Sequence, residues 1–279
     1  MARNPDLAAF QHRSALSGRS RKRFDLARID PSDKPFSSSD KAKDKARVEA
    51  LADELDTLQD LFYADRRYRM LVVLQGTDGS GKDGTIRGVF GEMSALGVRT
   101  VSYRAPNDEE RSHDYLWRIH RQMPANGEIV LFNRSHYEDV LVPVVKRFIT
   151  PEQTLQRYAQ INDFERMLVE NDTVILKFML HISKDEQRAR LQARLDDPAK
   201  RWKFERGDLD VRRQWDDYQA AYAHAIAATG TEWAPWTIVP ADSKTHRNLM
   251  VATVVKQTLE GLKLRYPPGD PALVDIDVE

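Results

Sequence analysis

The chain of 279 residues contains no cysteine, no net charge and no long apolar segment. The absence of cysteine excludes disulfide bridges, thiolate catalysis and cysteine-bound zinc or iron–sulfur centres. No window approaches the ~18 consecutive apolar residues of a membrane helix. Residues 1–30 are rich in arginine but lack the apolar stretch of a secretory signal. We therefore expect a cytoplasmic protein with no membrane partner, stabilised by a packed core.

The charge is balanced overall but not along the chain. The 43 Lys and Arg residues match 43 Asp and Glu residues, which argues against a nucleic-acid partner. Residues 1–47 nevertheless hold twelve basic and six acidic residues, and residues 267–279 hold four acidic residues and no basic one. The pattern predicts a basic N-terminal arm over 1–47, a main domain over 48–266 and an acidic tail over 267–279. The alternative for the arm is a solvated segment without a partner.

Short apolar segments alternate with amphipathic helical segments through the main domain. The apolar segments predict strands at 70–74, 98–103, 128–132, 173–182 and 237–240. The helical segments predict helices at 48–62, 82–96, 108–122, 151–170, 184–196, 208–229 and 243–264. This alternation predicts an α/β fold, a three-layer sandwich with a five-stranded parallel sheet between helices. Such sheets bind their ligands at the carboxyl ends of the strands.

The first predicted strand is followed by a glycine-rich loop. Residues 76–82 match G-x-x-x-x-G-K, the phosphate loop in which backbone N–H groups and a helix N-terminus surround phosphate oxygens. The loop lies between a buried type of strand and a helix, as this motif requires. The expected phosphate-binding residues are Gly76, Gly79, Ser80, Gly81, Lys82, Asp83 and Gly84. The alternative is a glycine-rich turn at a helix start.

The loop departs from the usual motif at two acidic residues. Asp83 follows Lys82, where the motif normally has the Ser or Thr that holds Mg²⁺. Asp78 lies within the loop, where a carboxylate beside a polyanion is repelled unless a cation lies between them. We therefore expect Asp78 to act with Mg²⁺. The alternative is a structural carboxylate that accepts hydrogen bonds from loop amides.

Charged residues also follow the third predicted strand. Phosphate-loop enzymes usually have an Asp there to organise the metal, but this chain has Asn133. Arg134, Glu138 and Asp139 come directly after it, at a strand end that should face the phosphate loop. The alternative for the two carboxylates is a surface ion pair, worth about 0–1 kcal/mol.

A basic segment follows the fourth predicted strand. Residues 187–206 contain seven basic and three acidic residues, and Arg190 and Arg194 share one helix face because they are four positions apart. Pro198 ends that helix, and Lys203 belongs to the basic run that follows. The segment predicts a mobile helical lid at about 184–213 that carries cations over the phosphates and excludes water. The alternative is a solvated charged helix.

Three motifs together resemble the family-2 polyphosphate kinases. They are G-x-D-x-x-G-K-D-G at 76–84, N-R-S-H-Y-E-D at 133–139, and S-K-x-E-Q followed by D-P-x-K-R-W-K at 183–203. The resemblance runs from about residue 24 to residue 264. It implies a phosphate-loop kinase fold with a helical lid, and phosphoryl transfer between inorganic polyphosphate and nucleotides with Mg²⁺, Mn²⁺ being the alternative. It also implies a homo-oligomer, a dimer or a tetramer.

The resemblance assigns roles to particular residues. It implies catalytic roles for Asp78 and Lys82 and phosphate contacts for Arg134, Arg190 and Arg194, to which we add Lys203. The chain has Asn133 and Glu138, as does the class (class III) that phosphorylates both AMP and ADP. The expected acceptors are therefore adenine nucleotides, with guanine nucleotides as the alternative. The expected catalytic set is Asp78, Lys82, Arg134, Glu138 and Asp139, with Asp78 and Asp139 at the metal.

Two other functions fit parts of the sequence. An ATP-dependent nucleotide kinase of the thymidylate-kinase type would have the same loop and lid, although not the combined second and third motifs. A non-enzymatic regulator that binds polyphosphate would keep the fold without turnover. Asp78, Lys82 and Arg134 are all present, which argues for an enzyme.

Overall fold

The computed structural model describes residues 10–13 and 24–271, and its described part contains a six-stranded sheet. The strands are β1 (Gln11–His12), β2 (Arg69–Gln75), β3 (Val98–Ser102), β4 (Ile129–Asn133), β5 (Thr173–His181) and β6 (Trp236–Pro240). Their order across the sheet is β1-β6-β5-β2-β4-β3. All five predicted strands are present, and they pair in parallel.

The prediction of a wholly parallel five-stranded sheet is wrong at one edge. Strand β1 pairs with β6 in the antiparallel direction, with Gln11 opposite Thr237 and His12 opposite Trp236. The described sheet is therefore mixed. A strand of two residues has no periodic apolar pattern, so the sequence carries no signal for it.

Helices cover both faces of the sheet. In chain order they are α1 (Lys41–Asp65), α2 (Lys82–Phe90), α3 (Asp108–Ser112), α4 (Trp117–His120), α5 (Glu138–Val145), α6 (Pro151–Glu170), α7 (Lys184–Asp196), α8 (Gly207–Arg213), α9 (Trp215–Thr229) and α10 (Lys244–Gly261). Helices α1, α2 and α10 pack together on one face, and α5, α6 and α9 on the other. None of these described helices is long and apolar enough to span a membrane.

Strand β2 lies at the centre of the core. Its residues Met70 to Leu74 are fully buried. Met70, Val72 and Leu74 pack into the α1, α2 and α10 layer, whereas Leu71 and Val73 pack into the α5, α6 and α9 layer. A strand buried on both faces reads as a continuous apolar run, which explains the signal in the sequence. The loop after β2 therefore starts from the rigid middle of the sheet, between β4 and β5.

Helix α1 begins at Lys41, within the segment expected to be an arm. The side chain of Asp40 accepts hydrogen bonds from the backbone N–H groups of Ala42 and Lys43, which caps the helix there. Residues 1–9 and 14–23 of the predicted arm lie outside the described residues, as do residues 272–279 of the predicted tail. The arm and the tail therefore stay predictions.

Candidate active site

The glycine-rich loop joins β2 to α2 at the carboxyl edge of the sheet. Gly76, Gly79 and Gly81 have φ angles of 146°, 85° and 102°, which L side chains rarely adopt. Helix α2 starts at Lys82, and the first N–H groups of a helix have no acceptor within it. These N–H groups and the positive end of the helix dipole favour an anion. The strand–loop–helix context required by the motif is present, and the phosphate contacts themselves stay predictions.

Lys82 is folded back over the loop. Its Nζ donates to the carbonyl oxygen of Gly76 at 2.6 Å and to that of Thr77 at 3.4 Å. Burial and the charge of Arg134 lower the pKa of Lys82, and Asp78 acts in the opposite direction. The ammonium group therefore lies among groups of both signs at the loop, where a phosphate oxygen can replace the carbonyl acceptors.

Asp78 and Arg134 form an ion pair across the loop. Arg134 Nη2 lies 2.6 Å from Asp78 Oδ1. Burial alone would raise the pKa of Asp78, but the charges of Lys82 and Arg134 outweigh it and hold that pKa below its usual value. Arg134 has a φ of 63°, which costs a non-glycine residue about 1–3 kcal/mol and is typical of functional sites. Within the described residues, the Asp78 carboxylate accepts a hydrogen bond from Arg134 and not from a loop amide.

Glu138 faces the same group of charges. It is the first residue of α5, and burial raises its pKa although Arg134 and Lys82 act to lower it. The Gln75 amide, in the orientation that satisfies its neighbours, donates to Glu138 Oε1 at 3.0 Å. The structure thus brings Asp78, Lys82, Arg134 and Glu138 together, as the sequence predicts.

Asp139 points elsewhere. Consecutive helical residues are separated by about 100° around the axis, so Glu138 and Asp139 do not face the same partner. The Asp139 carboxylate lies 3.4 Å from Arg118 Nη2. The backbone carbonyl oxygen of Asp139 accepts a hydrogen bond from Arg157 at 2.6 Å. Burial raises the pKa of Asp139, and Arg118 opposes that effect. Its expected metal role stays a prediction.

Side chains from two other elements contact the carboxylate of Asp83, which lies in the first turn of α2. Asn133, at the end of β4, donates from Nδ2 to Asp83 Oδ1 at 2.7 Å. Lys203 Nζ lies 3.8 Å from Asp83 Oδ2, and it belongs to a 3-10 turn (Arg201–Lys203) after α7. The expected phosphate-binding residues Asp83 and Lys203 are therefore close to each other at the start of α2, directly after the loop.

The structure places Arg190 behind the loop. Its five N–H groups donate to Glu186 Oε1 and to the carbonyl oxygens of Gly79, Ser80, Ala241 and Asp242. In this conformation every N–H of Arg190 is used by the protein, so its phosphate contact stays a prediction. Arg194 lies nearer the opening, where Arg194 Nη1 is 3.9 Å from Asp208 Oδ2.

Ser80 and Gly84 lie where the loop packs closely against its neighbours. The Ser80 side chain is fully buried beneath Gly76, where an added Cβ would lie 2.7 Å from Ser80 Oγ. A Cβ on Gly81 or Gly84 would lie 1.8 Å or 3.0 Å from the guanidinium of Arg247. These glycines therefore make room for a buried arginine from α10.

Arg247 and Gln187 also contact the loop, although neither was among the expected site residues. Burial and the charge of Arg190 lower the pKa of Arg247 to about 10, which still leaves it positive at neutral pH. Gln187 donates to the carbonyl oxygen of Asp78 at 3.0 Å. Two patterns could have indicated Gln187, because it ends the S-K-x-E-Q motif and lies on the same face of α7 as Arg190. Arg247 has no such pattern.

The side chains of this site fit Mg²⁺ if phosphate oxygens of a bound substrate complete its coordination. The described residues contain no group of three or more His, Asp or Glu side chains that could hold a metal. Mg²⁺ in phosphoryl-transfer sites usually takes one or two carboxylates together with waters and substrate phosphates. The ionised carboxylate of Asp78 at a phosphate loop suits that kind of coordination.

Comparisons with known proteins agree with the motifs. The family model described as Polyphosphate kinase 2 (PPK2) matches residues 38–266. An AMP/ADP-polyphosphate phosphotransferase from Meiothermus ruber is 51% identical over 260 residues, covering 92% of this chain and 96% of the relative. An ADP-polyphosphate phosphotransferase from Rhodopseudomonas palustris is 41% identical over 240 residues, or 82% of each chain.

A solved structure has the same fold. The crystal structure of polyphosphate kinase 2 from Arthrobacter aurescens TC1 has 42% sequence identity and a TM-score of 0.87, with 96% of each chain covered. The resemblance that the three motifs carry is thus confirmed over most of the sequence and of the fold. The chain belongs to the polyphosphate kinase 2 family.

Proposed function

We propose that this protein transfers phosphoryl groups from inorganic polyphosphate to AMP and to ADP, forming ADP and ATP. The observation that carries the proposal is the group of Asp78, Lys82, Arg134 and Glu138 around one phosphate loop. The relative from Meiothermus ruber, whose printed activity covers both acceptors, supports the choice of substrates.

The main difficulty of the reaction is electrostatic, because donor and acceptor are both polyanions. Lys82, Arg134 and the first N–H groups of α2 supply the positive charge that offsets their repulsion. Transfer passes through a loose, metaphosphate-like state that needs in-line positioning more than covalent participation by the protein. The attacking phosphate of the nucleotide is already an anion, so the reaction does not require a general base.

Mg²⁺, or Mn²⁺ in its place, is part of the proposal. When bound, the ion neutralises charge on the transferring and leaving phosphate oxygens. Asp78 would hold it together with oxygens of the substrates. The charges of Lys82 and Arg134 keep Asp78 ionised, and the Arg134 guanidinium contacts its carboxylate at 2.6 Å.

We also propose that α7, the 3-10 turn and α8 form a helical lid over about 184–213. Lys203 reaches Asp83 from that turn, and Arg194 lies close enough to contribute to the charge that acts on Asp78. A lid that brings these cations over the phosphates would also exclude water. A homo-oligomer, dimer or tetramer, and a cytoplasmic location complete the proposal.

The experiment compares phosphoryl donors. The protein is incubated with Mg²⁺, with AMP or ADP, and with either long-chain polyphosphate or ATP, and the nucleotides are then separated. We expect AMP to yield ADP and ATP, and ADP to yield ATP, with polyphosphate as donor. Phosphorylation of AMP by ATP alone would select a nucleotide kinase instead. Binding of polyphosphate without turnover would select a regulator.

A further inference from the structure

Two positions that usually organise the metal in phosphate-loop enzymes are changed together in this chain. The usual pair is a Ser or Thr after the loop lysine and an Asp at the end of a neighbouring strand. Here Asp83 follows Lys82 and Asn133 ends β4, and their side chains are in direct contact at 2.7 Å. The pair still consists of one carboxylate and one neutral polar side chain, but the two have exchanged positions.

The contact explains why the two changes belong together. Asn133 donates its amide N–H to Asp83 Oδ1. An Asp at position 133 would place a second carboxylate against the first, and such close like charges repel. With Asn133 in place, the Asp83 carboxylate is held in one orientation, and its side chain remains 58% exposed at the mouth of the loop. It is therefore oriented and also accessible to a ligand.

Asp83 and Asp78 both interact electrostatically with Lys82. The acidic groups whose charge raises the pKa of Lys82, against the effect of burial, are Asp78, Glu138 and Asp83. The carboxylate of Asp139 contacts Arg118 instead, on the side of α4 and α6. Of the acids near β4, Asp83 is therefore better placed than Asp139 to work with Asp78.

We propose that Asp83, oriented by Asn133, is the second carboxylate that organises the metal in this active site. The inference rests on the proposed function, since that function includes Mg²⁺, and it names the residue that takes over from the missing strand-end Asp. Asp78 and Asp83 then supply the one or two carboxylates that Mg²⁺ uses beside substrate phosphates.

The test measures metal binding and not turnover. Mn²⁺ is titrated into protein saturated with ADP, and the water proton relaxation rate reports the Mn²⁺ that is bound in the ternary complex. Binding of ADP without metal is measured for every variant by equilibrium dialysis, so that a lost nucleotide site is not taken for a lost metal site. Asp139→Asn is the matched control.

We expect Asp83→Asn to weaken Mn²⁺ binding by about 10-fold to 100-fold, as losses of groups that organise a metal usually do. Asp139→Asn should change Mn²⁺ binding by less than about threefold. The double variant Asp83→Ser with Asn133→Asp restores the usual arrangement and should recover Mn²⁺ binding.

Wild-type affinity in Asp83→Asn, a tenfold loss in Asp139→Asn, or no recovery in the double variant would each overturn the inference. The absence of Mn²⁺ from the wild-type ternary complex would do the same. These results are distinct from failure of the proposed function, because an enzyme that transfers phosphoryl groups with no need for Asp83 refutes this inference alone. A protein whose Mn²⁺ binding depends on Asp83 but that has no polyphosphate-dependent turnover refutes the proposed function alone.

Discussion

Arg190 and Arg247 hold the phosphate loop from behind, and the sequence indicates only the first of them. Arg190 belongs to a basic helical pattern, which predicts a position near the phosphates. That pattern cannot show that its N–H groups meet the carbonyl oxygens of Gly79 and Ser80, because the fold brings those acceptors from a distant part of the chain. The sequence therefore indicates a supporting residue that belongs to a local pattern, such as Arg190, but not an isolated one such as Arg247.

Glu138 is the residue that we expect to select between AMP and ADP as acceptor. Replacing Glu138 with Asn removes a negative charge beside Lys82 and Arg134. The two cations then favour binding of ADP over AMP, because ADP carries more negative charge. We expect Glu138→Asn to lower kcat/KM for AMP on the order of tenfold more than for ADP, the effect of about 1.4 kcal/mol. Steady-state kinetics with both acceptors checks this. Equal losses would count against Glu138 as the residue that selects the acceptor, and Glu138→Gln separates charge from shape.

Elements with strong local signals were predicted well. The five parallel strands agree with the prediction within two residues, because buried strands read as apolar runs. Helix α6 starts as predicted, since Thr150 and Gln153 form a capping box and Pro151 occupies the first turn.

Elements with weak or interrupted signals were not predicted correctly. The single helix expected at 108–122 is two short helices, with His113 in an extended conformation between them. The helix expected at 208–229 is divided at Gln214 into α8 and α9. Helix α5 has eight residues, contains Pro143 and was not among the predicted helices. These differences depend on single backbone positions, which periodicity does not resolve.

A buried ion pair joins β5 to α6 beneath the active site. Lys177 Nζ lies 2.6 Å from Glu165 Oε2 and also donates to Tyr137, next to Glu138, and to the carbonyl oxygen of Thr229. Lys177→Met leaves the Glu165 carboxylate buried without its cation, and we expect the free energy of unfolding to fall by about 3–5 kcal/mol. Denaturant unfolding measures it.

The matched control removes both charges. The double variant Lys177→Met with Glu165→Met should be more stable than Lys177→Met alone, because no unpaired carboxylate remains. If Lys177→Met were as stable as the wild type, the pair would have no such role.

A second pair connects the end of α1 to the segment that follows α10. Asp65 accepts hydrogen bonds from Arg67 and from the backbone N–H of Arg265. The hydrogen bonds from Arg67, above all, lower the pKa of Asp65 to about 2. Because this pKa is depressed in the folded protein, the contribution to stability is present above the usual Asp value and is lost as the pH falls from about 4 to about 2.

The corresponding prediction concerns Asp65→Asn. Above pH 4 this variant should be less stable than the wild type by about 1 kcal/mol, and the difference should shrink as the pH falls and disappear below pH ~2. Denaturant unfolding at a series of pH values measures it. A difference that stays constant over that range would show that the Asp65 carboxylate is not responsible.

The whole molecule is electrically neutral, yet its candidate active site brings positive charges together. The net charge of zero describes the sum over 86 charged residues and not their positions. Lys82, Arg134, Arg194 and Lys203 gather at one edge of the sheet, where their positions decide which ligand can bind. The sequence predicts the α/β class and this edge, but the strand order and the antiparallel β1 depend on long-range pairing that no local pattern encodes.

Above all, we propose that the phosphate loop of this protein performs phosphoryl transfer from polyphosphate. The most direct measurement is the initial rate of ADP and ATP formation from polyphosphate and AMP by Lys82→Ala, beside the wild type, with circular dichroism and Tm as checks of the fold. We predict that turnover is lost while the circular dichroism spectrum and cooperative unfolding are retained, because the ammonium that offsets phosphate charge is gone. A correctly folded Lys82→Ala protein with the wild-type rate would contradict the account.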